Sequence, residues 1–149
     1  MKGVAAVKFI PYLNYKGDCR EAFEFYAKLL DGKVTDIFTF GEAPGGSGME
    51  PSWDDKIMNA QLEFGDQALM GCDAPPHTGD ATMNGFWISI QIDDEVRARH
   101  IFEAFSEGGT IVMPYGPTFW ARQFGMVWDR FGTPWMINCG IAEQEEQAA

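Results

Sequence analysis

The feature of this sequence that most constrains its fold is an order of elements that occurs twice. Hydrophobic periodicity predicts strand, helix, strand, strand, strand in each half. The predicted helix N-caps, Asp18 and Asp94, are 76 residues apart, and the Phe-Gly turns that begin at Phe64 and Phe131 are 67 residues apart. A glycine-rich loop over 41–55 accounts for the difference between the two spacings. The chain is therefore expected to contain two similar modules.

The predicted modules span about 5–73 and 86–140 of a single domain, and an acidic flexible tail follows at 141–149. Past the Phe-Gly turns, the same spacing matches Leu69 with Met136 and Cys72 with Cys139. These matches predict that the last strands of the two modules are equivalent residue by residue.

Periodicity and turn residues predict the bounds of each element. In the first module these are a strand over 7–15, a helix over 19–30 capped by Asp18, and strands over 33–40, 56–64 and 67–73. In the second module they are a strand over 85–93, a helix over 94–107, and strands over 110–116, 119–129 and 133–139.

Composition narrows the classes of partner. The 149 residues include 11 Lys and Arg against 22 Asp and Glu, which gives a net charge of -11. Nucleic acids and anionic membranes attract clustered cations, so neither is an expected partner. No stretch approaches the roughly 18 apolar residues that a membrane span requires. The three cysteines are widely spaced and odd in number, which favours reduced thiols in a cytoplasmic protein.

Three blocks of sequence, together with the tandem order, resemble a known family. They are "PYLNYKGDCREAFEFY" at 11–26, "LMGCDAPP" at 69–76 and "TFWARQFGMVWDRFGTPWMIN" at 118–138. The chain resembles the PhnB-like branch of the vicinal oxygen chelate superfamily, which includes glyoxalase I, extradiol dioxygenases and bleomycin-binding proteins. The resemblance implies an α+β fold of tandem βαβββ modules forming a curved-sheet cavity (the glyoxalase/bleomycin resistance/dioxygenase fold), and a homodimer.

Members of this branch are often labelled 3-demethylubiquinone methyltransferase. A methyltransferase needs a Gly-rich turn between a strand and a helix to seat its cofactor. The sequence contains no such turn, so no methyl-donor cofactor is expected.

In metal-bearing relatives, the resemblance implies one metal ligand on the first and one on the last strand of each module. The corresponding positions here are Pro11, Leu69, Trp87 and Met136. None of them is the imidazole or carboxylate that a divalent ion prefers, so no metal or other cofactor is expected. One alternative stays open, namely a lyase or dioxygenase with a relocated metal site built from Glu63, Asp73, His77 or Asp129.

Strand alternation predicts what lines the cavity instead. On the strand over 85–93, Phe86 and the three isoleucines form the face beneath the helix, and the alternate residues face the cavity. The repeat places Phe9, Pro11 and Leu13 on the equivalent face of the first module. The predicted ligand-pocket residues are Trp87, Ser89, Gln91, Trp120, Arg122, Phe124, Trp128, Met136 and Asn138.

Two interpretations of these residues remain. The aromatic side chains are either a ligand pocket or ordinary core, and Arg122 either clamps a ligand carboxylate or phosphate, pairs with Glu63 or Asp129, or reaches solvent. The sequence favours a metal-free, small-molecule-binding protein that is cytoplasmic and homodimeric. A metal-dependent enzyme and a purely structural module are the alternatives, and no residue is assigned a catalytic role.

Overall fold

The computed structural model describes residues 6–142 and divides the chain into two compact units, one ending at Ala81 and the other beginning at Thr82. Each unit contains one open four-stranded mixed sheet and one α-helix. The α+β class and the tandem βαβββ order are therefore confirmed. The predicted tail lies outside the described residues from position 143 onward.

The first unit contains β1 (Tyr12–Tyr15), α1 (Cys19–Leu30), β2 (Lys33–Thr39), β3 (Ile57–Phe64) and β4 (Gln67–Asp73). The order in its sheet is β1-β4-β3-β2, with β1 parallel to β4 and the other pairs antiparallel. The predicted first strand was too long, since the described residues before Tyr12 are not in a strand. The glycine-rich loop contains two short 3-10 helices, Phe40–Glu42 and Pro51–Trp53.

The second unit contains β5 (Ile88–Ile92), α2 (Glu95–Ser106), β6 (Thr110–Gly116), β7 (Gln123–Trp128) and β8 (Pro134–Cys139). Its sheet repeats the order of the first, β5-β8-β7-β6, with β5 parallel to β8. The predicted strand over 119–129 was too long at its start, because Trp120 and Arg122 precede β7. No helix in the described part of the chain is long and apolar enough to cross a membrane.

Each helix packs on one face of its own sheet. In the first unit, a Cβ added to Gly71 would lie 3.0 Å from the ring of Phe23 and 2.7 Å from the carbonyl oxygen of Leu13. The absence of a side chain at Gly71 therefore lets α1 approach β4 closely. In the second unit, Phe105 of α2 stacks on Trp135 of β8, with ring centroids 4.5 Å apart and an interplanar angle of 8°. These contacts define which face of each sheet is the core face.

The two helices begin in different ways. Asp94 caps α2 as predicted, because its side chain accepts a hydrogen bond from the backbone N–H of Arg97. The side chain of Asp18 makes no such bond. Instead, buried Asp73 at the end of β4 accepts hydrogen bonds from the N–H groups of Gly17 and Cys19. A residue distant in sequence thus supplies the capping carboxylate of α1.

The predicted inward face of the first strand was wrong. Leu13 is 1% exposed and belongs to the core beneath α1, whereas Tyr12 and Asn14 are exposed on the opposite face. Phe9 and Pro11 precede β1 altogether. Three residues separate β1 from α1 but only two separate β5 from α2, so matching the helix caps places the two strands out of phase by one residue.

The predicted match between the last strands was also wrong by one residue. Phe64 is the final residue of β3, paired with Gln67, whereas Phe131 lies in the longer loop that joins β7 to β8. The two Phe-Gly sequences are therefore not equivalent. By strand register, Met70 beside Tyr12 corresponds to Met136 beside Ser89, and Cys72 corresponds to Asn138. Leu69 is 6% exposed and belongs to the core.

Candidate functional site

The sheet of the second unit has one face that lies opposite α2, which we call the aromatic face. Its orientation follows from Gly125, where an added Cβ would contact the ring of Phe102 in α2. The neighbours of Gly125 along β7, Phe124 and Met126, therefore point the other way. On β8 the stacking of Trp135 on α2 turns Met136 and Asn138 to the same face.

Strand register brings several predicted pocket residues together on the aromatic face. Ser89 pairs with Met136, and Gln91 pairs with Asn138, across the parallel β5–β8 ladder. Ser89 and Gln91 are exposed, and the amide nitrogen of Gln91 donates a hydrogen bond of 2.6 Å to the Ser89 hydroxyl. The alternate residues of β5 are isoleucines that are less exposed. The predicted orientation of β5 agrees with this burial pattern.

Two tryptophans form a platform at one end of the aromatic face. Trp87 stacks on Trp128 with ring centroids 6.2 Å apart and an interplanar angle of 13°. Met126 pairs with Met136 in the next row of the sheet, so thioethers adjoin the indoles. Trp128 remains 38% exposed, and a flat apolar surface of this kind accepts a planar ligand ring.

Trp120 and Phe124 form a separate aromatic pair. Their rings make an edge contact at 5.1 Å, and Trp120 also contacts Phe119 at 4.8 Å. Phe124 is only 4% exposed, so it contributes to the core more than to an accessible surface. Trp120, at 41% exposure, and Phe119, at 91%, remain accessible.

Arg122 is anchored at the start of α2. Its Nε donates to a carboxylate oxygen of Glu95 at 3.1 Å, and its Nη2 donates to the carbonyl oxygen of Asp93 at 2.9 Å. The predicted partners Glu63 and Asp129 were wrong, because β7 begins only after Arg122 and the side chain does not follow the strand's alternation. The interpretation that Arg122 pairs with an acid is the one the structure supports.

Sequence reasoning missed a cleft of about 350 Å³ in the same unit. Trp128 lines it, so the cleft adjoins the tryptophan platform. The remaining lining residues come from the segment before β5, the α2–β6 turn and the β7–β8 loop: Thr82, Met83, Asn84, Gly108, Gly109, Thr110, Asp129, Arg130 and Gly132. No periodic pattern marks such loop residues, which explains the omission.

The residues at the superfamily's metal positions do not fit a divalent ion. Trp87 is stacked on Trp128, and the thioethers of Met70 and Met136 occupy the last strands. Hard and borderline divalent ions prefer carboxylate or imidazole ligands, and these positions offer neither. Within residues 6–142, no group of three or more His, Cys, Asp or Glu side chains could hold a metal ion.

The acids proposed for a relocated metal site are engaged elsewhere. Asp73 accepts three backbone hydrogen bonds, from Gly17, Cys19 and Ile57. Asp129 accepts bonds from the N–H groups of Phe131 and Thr133 and from the indole of Trp135. Both carboxylates are buried and organise local backbone, so neither presents open oxygen atoms to a cation.

Comparison with known proteins identifies relatives along most of the chain. Residues 7–138 match the family model described as 3-demethylubiquinone-9 3-methyltransferase. Protein YjdN of Escherichia coli (strain K12) is 33% identical over 137 residues, which cover 86% of this chain and 92% of that protein. The crystal structure of protein PA1353 from Pseudomonas aeruginosa is 42% identical, covers 91% of this chain and 98% of its own, and superposes with a TM-score of 0.83.

More distant structures share the fold. A putative 3-demethylubiquinone-9 3-methyltransferase, PhnB protein, from Bacillus cereus is 22% identical, with 90% of this chain and 100% of that chain covered and a TM-score of 0.72. The fosfomycin resistance protein FosX from Mesorhizobium loti is 11% identical, with 94% and 95% covered and a TM-score of 0.59. At these identities the likeness concerns the fold alone.

Proposed function

The chain belongs to the PhnB-like family that the matched model describes as 3-demethylubiquinone-9 3-methyltransferase, and from this premise we propose that it binds a small molecule on its aromatic face without a metal ion. The proposal places the ligand against the Trp87–Trp128 platform, with Ser89, Gln91 and Asn138 supplying hydrogen bonds. Unlike a catalytic assignment, it requires no reaction.

One observation carries the proposal: the aromatic face combines a stacked indole pair and thioethers with a few polar groups, and its strand residues carry no charge. Small-molecule sites typically have this composition. Sulfur and indole surfaces bind apolar rings, while the Ser89 and Gln91 pair presents fixed polar atoms. A neutral, partly aromatic molecule therefore suits this face better than an anion does.

Methyl transfer, which the family's description names, receives no support from the two helix N-termini. The N–H groups of Gly17 and Cys19 at the start of α1 already donate to the Asp73 carboxylate. At the start of α2, the carboxylate of Asp94 accepts from Arg97. An acidic side chain at each N-terminus disfavours the approach of an anionic nucleotide-type cofactor.

Thermal-shift screening of the purified protein against neutral aromatic compounds tests the proposal. We expect hits whose affinity falls at least about tenfold in Trp87→Leu and Trp128→Leu, which remove the platform. Trp53→Leu is the matched control, since Trp53 packs on Phe40 in the first unit, and it should leave hit affinity unchanged. A screen without hits, or hits indifferent to both platform variants, would contradict the proposal.

Metal independence has its own measurement. Dialysis against a chelator, followed by addition of manganese or zinc, should leave both the melting temperature and the hit affinity unchanged, because the superfamily's metal positions carry indole and thioether groups. Saturable uptake of one divalent ion per chain, accompanied by stabilisation, would instead favour the metal-dependent lyase or dioxygenase.

The proposal also includes a homodimer in the cytoplasm. The three cysteines are free thiols, and Cys19 and Cys139 are fully buried, which accords with a reducing compartment. Fractionation of the native cells, with detection by antibody, tests the compartment.

A further inference from the structure

The sheet of the first unit also has a face opposite its helix, and this face is polar. Leu13 and Tyr15 are each 1% exposed beneath α1, and Gly71 contacts Phe23 of that helix. The alternate residues of β1, β3 and β4 therefore point away from α1. We call their surface the polar face; its members are Tyr12, Asn14, Asn59, Gln61, Glu63, Met70 and Cys72.

Strand register places two asparagines on either side of one cysteine. Asn14 of β1 pairs with Cys72 of β4. On the other side of β4, Ala60 pairs with Gly71, so its neighbour Asn59 lies beside Cys72. The asparagines are thus two strands apart, which corresponds to about 10 Å between their Cα atoms.

The oxygen atoms of both asparagine side chains are already occupied. The Tyr12 hydroxyl donates to Oδ1 of Asn59 at 2.9 Å, and the Cys72 thiol donates to Oδ1 of Asn14 at 3.5 Å. Burial raises the pKa of the Tyr12 phenol and that of the Cys72 thiol, so both keep their protons and remain donors at neutral pH.

The nitrogen atoms of the same side chains have no such partner. Within the described part of the chain, Nδ2 of Asn14 and Nδ2 of Asn59 donate no hydrogen bond. Because each amide oxygen is held by a fixed donor, each NH2 group is oriented for an incoming acceptor. The polar face therefore presents two preorganised pairs of N–H donors.

The charge on this face selects among acceptors. Its one ionisable acid, Glu63, accepts a hydrogen bond of 2.9 Å from Gln61, and the face carries no cationic side chain. A ligand carboxylate or phosphate would meet the Glu63 charge without a compensating cation. A neutral oxygen acceptor meets no such penalty.

We propose that the polar face is a second ligand-binding surface, which takes neutral small molecules whose carbonyl oxygens accept hydrogen bonds from Asn14 and Asn59. This surface differs in chemistry from the aromatic face and stands independently of the proposed function. Its ligand class is a neutral amide or ketone with two carbonyl oxygens, one for each asparagine.

The test uses the full chain and sarcosine anhydride, a neutral ring with two amide carbonyls and no N–H group. A proton–nitrogen correlation spectrum detects the asparagine NH2 groups directly. Titration to tens of millimolar should shift the Asn14 and Asn59 NH2 resonances along one saturable curve. The matched ring N,N′-dimethylpiperazine, which lacks the carbonyls, should leave these resonances in place.

Substitution by aspartate is the sharpest variant, since it keeps the oxygen that Tyr12 or Cys72 bonds and replaces the donating NH2 by an acceptor. Asn14→Asp and Asn59→Asp should each weaken binding at least about tenfold. Asn84→Asp, at an exposed position of the second unit, adds the same charge and should leave affinity unchanged. Asn14 is itself exposed, so Asn14→Asp is expected to fold even where Asn59→Asp does not.

Two results would overturn the proposal: no saturable shift of the asparagine resonances in the native protein, or binding that Asn14→Asp leaves intact. Neither result bears on the aromatic face, whose test depends on tryptophan variants. Conversely, loss of aromatic hits in Trp87→Leu says nothing about the asparagines. The two surfaces therefore succeed or fail separately.

Discussion

At the scale of single residues, the sequence identified types of side chain better than it identified their partners. Ser89, Gln91, Met136 and Asn138 could be placed on one face because alternation along a strand is a local property. Arg122 could not, since its position depends on where β7 begins and on the distant carboxylate of Glu95. Hydrogen bonds between residues far apart in sequence leave no periodic trace.

Asp73 shows what one such residue contributes. Its carboxylate, 1% exposed, joins the segment before α1 to the start of β3 through bonds to Gly17, Cys19 and Ile57. Asp73→Asn replaces one accepting oxygen by a donor that faces a backbone N–H. We expect a loss of about 2–4 kcal/mol in the free energy of unfolding, measured by urea titration.

Asp36→Asn is the control for this prediction, since Asp36 is exposed on β2 and the same chemical change there should alter stability by less than about 0.5 kcal/mol. Equal stability of the two variants would show that the Asp73 bonds do not hold these segments together.

At the scale of elements, existence and order were predicted well and phase was not. Both helices, all eight strands and the closing Asp31-Gly32 turn agree with the sequence pattern, because each rests on apolar periodicity or turn chemistry. The errors arose where equivalence between halves was inferred from punctuation. A helix cap or a Phe-Gly pair marks an end, but not how many residues separate that end from the adjacent strand.

Close packing of α1 on its sheet gives a prediction at this scale. Gly71→Ala would place a methyl group against the Leu13 carbonyl and the Phe23 ring, so α1 must move outward. We expect a loss of about 2–4 kcal/mol, read from thermal or urea unfolding.

The comparison variant is Gly116→Ala in β6, where an added Cβ meets nothing within 4 Å. It should be neutral or stabilise the protein by up to about 1 kcal/mol, because alanine restricts the unfolded chain. If both variants unfold alike, close approach at Gly71 is not what limits the packing of α1.

At the scale of the whole molecule, the family could be recognised from three blocks of sequence, and residues 7–138 match its model. The ligand could not be recognised, because a shared fold carries many functions and the deciding side chains belong to individual sites. The difference between the aromatic face and the polar face is one that no fold-level likeness conveys.

The predicted homodimer belongs to this scale. Phe119 is 91% exposed beside the exposed Trp120, and accessible aromatic residues of this kind are enriched at protein–protein interfaces. Light scattering after size-exclusion chromatography should give about twice the 16.6 kDa chain mass. Phe119→Ser should shift the population towards monomer, while the surface substitution His77→Ser should not. A monomer at high protein concentration would contradict the prediction.

The unequal spacers, three residues between β1 and α1 but two between β5 and α2, also matter to anyone who wishes to recombine the halves. A graft that copies β5 into the place of β1, position for position from the helix caps, would bury serine and glutamine beneath α1 and expose isoleucine to water. Deleting one spacer residue together with the graft restores the orientation. Connector length thus acts as an inside–outside setting that chimeras must inherit along with the strand.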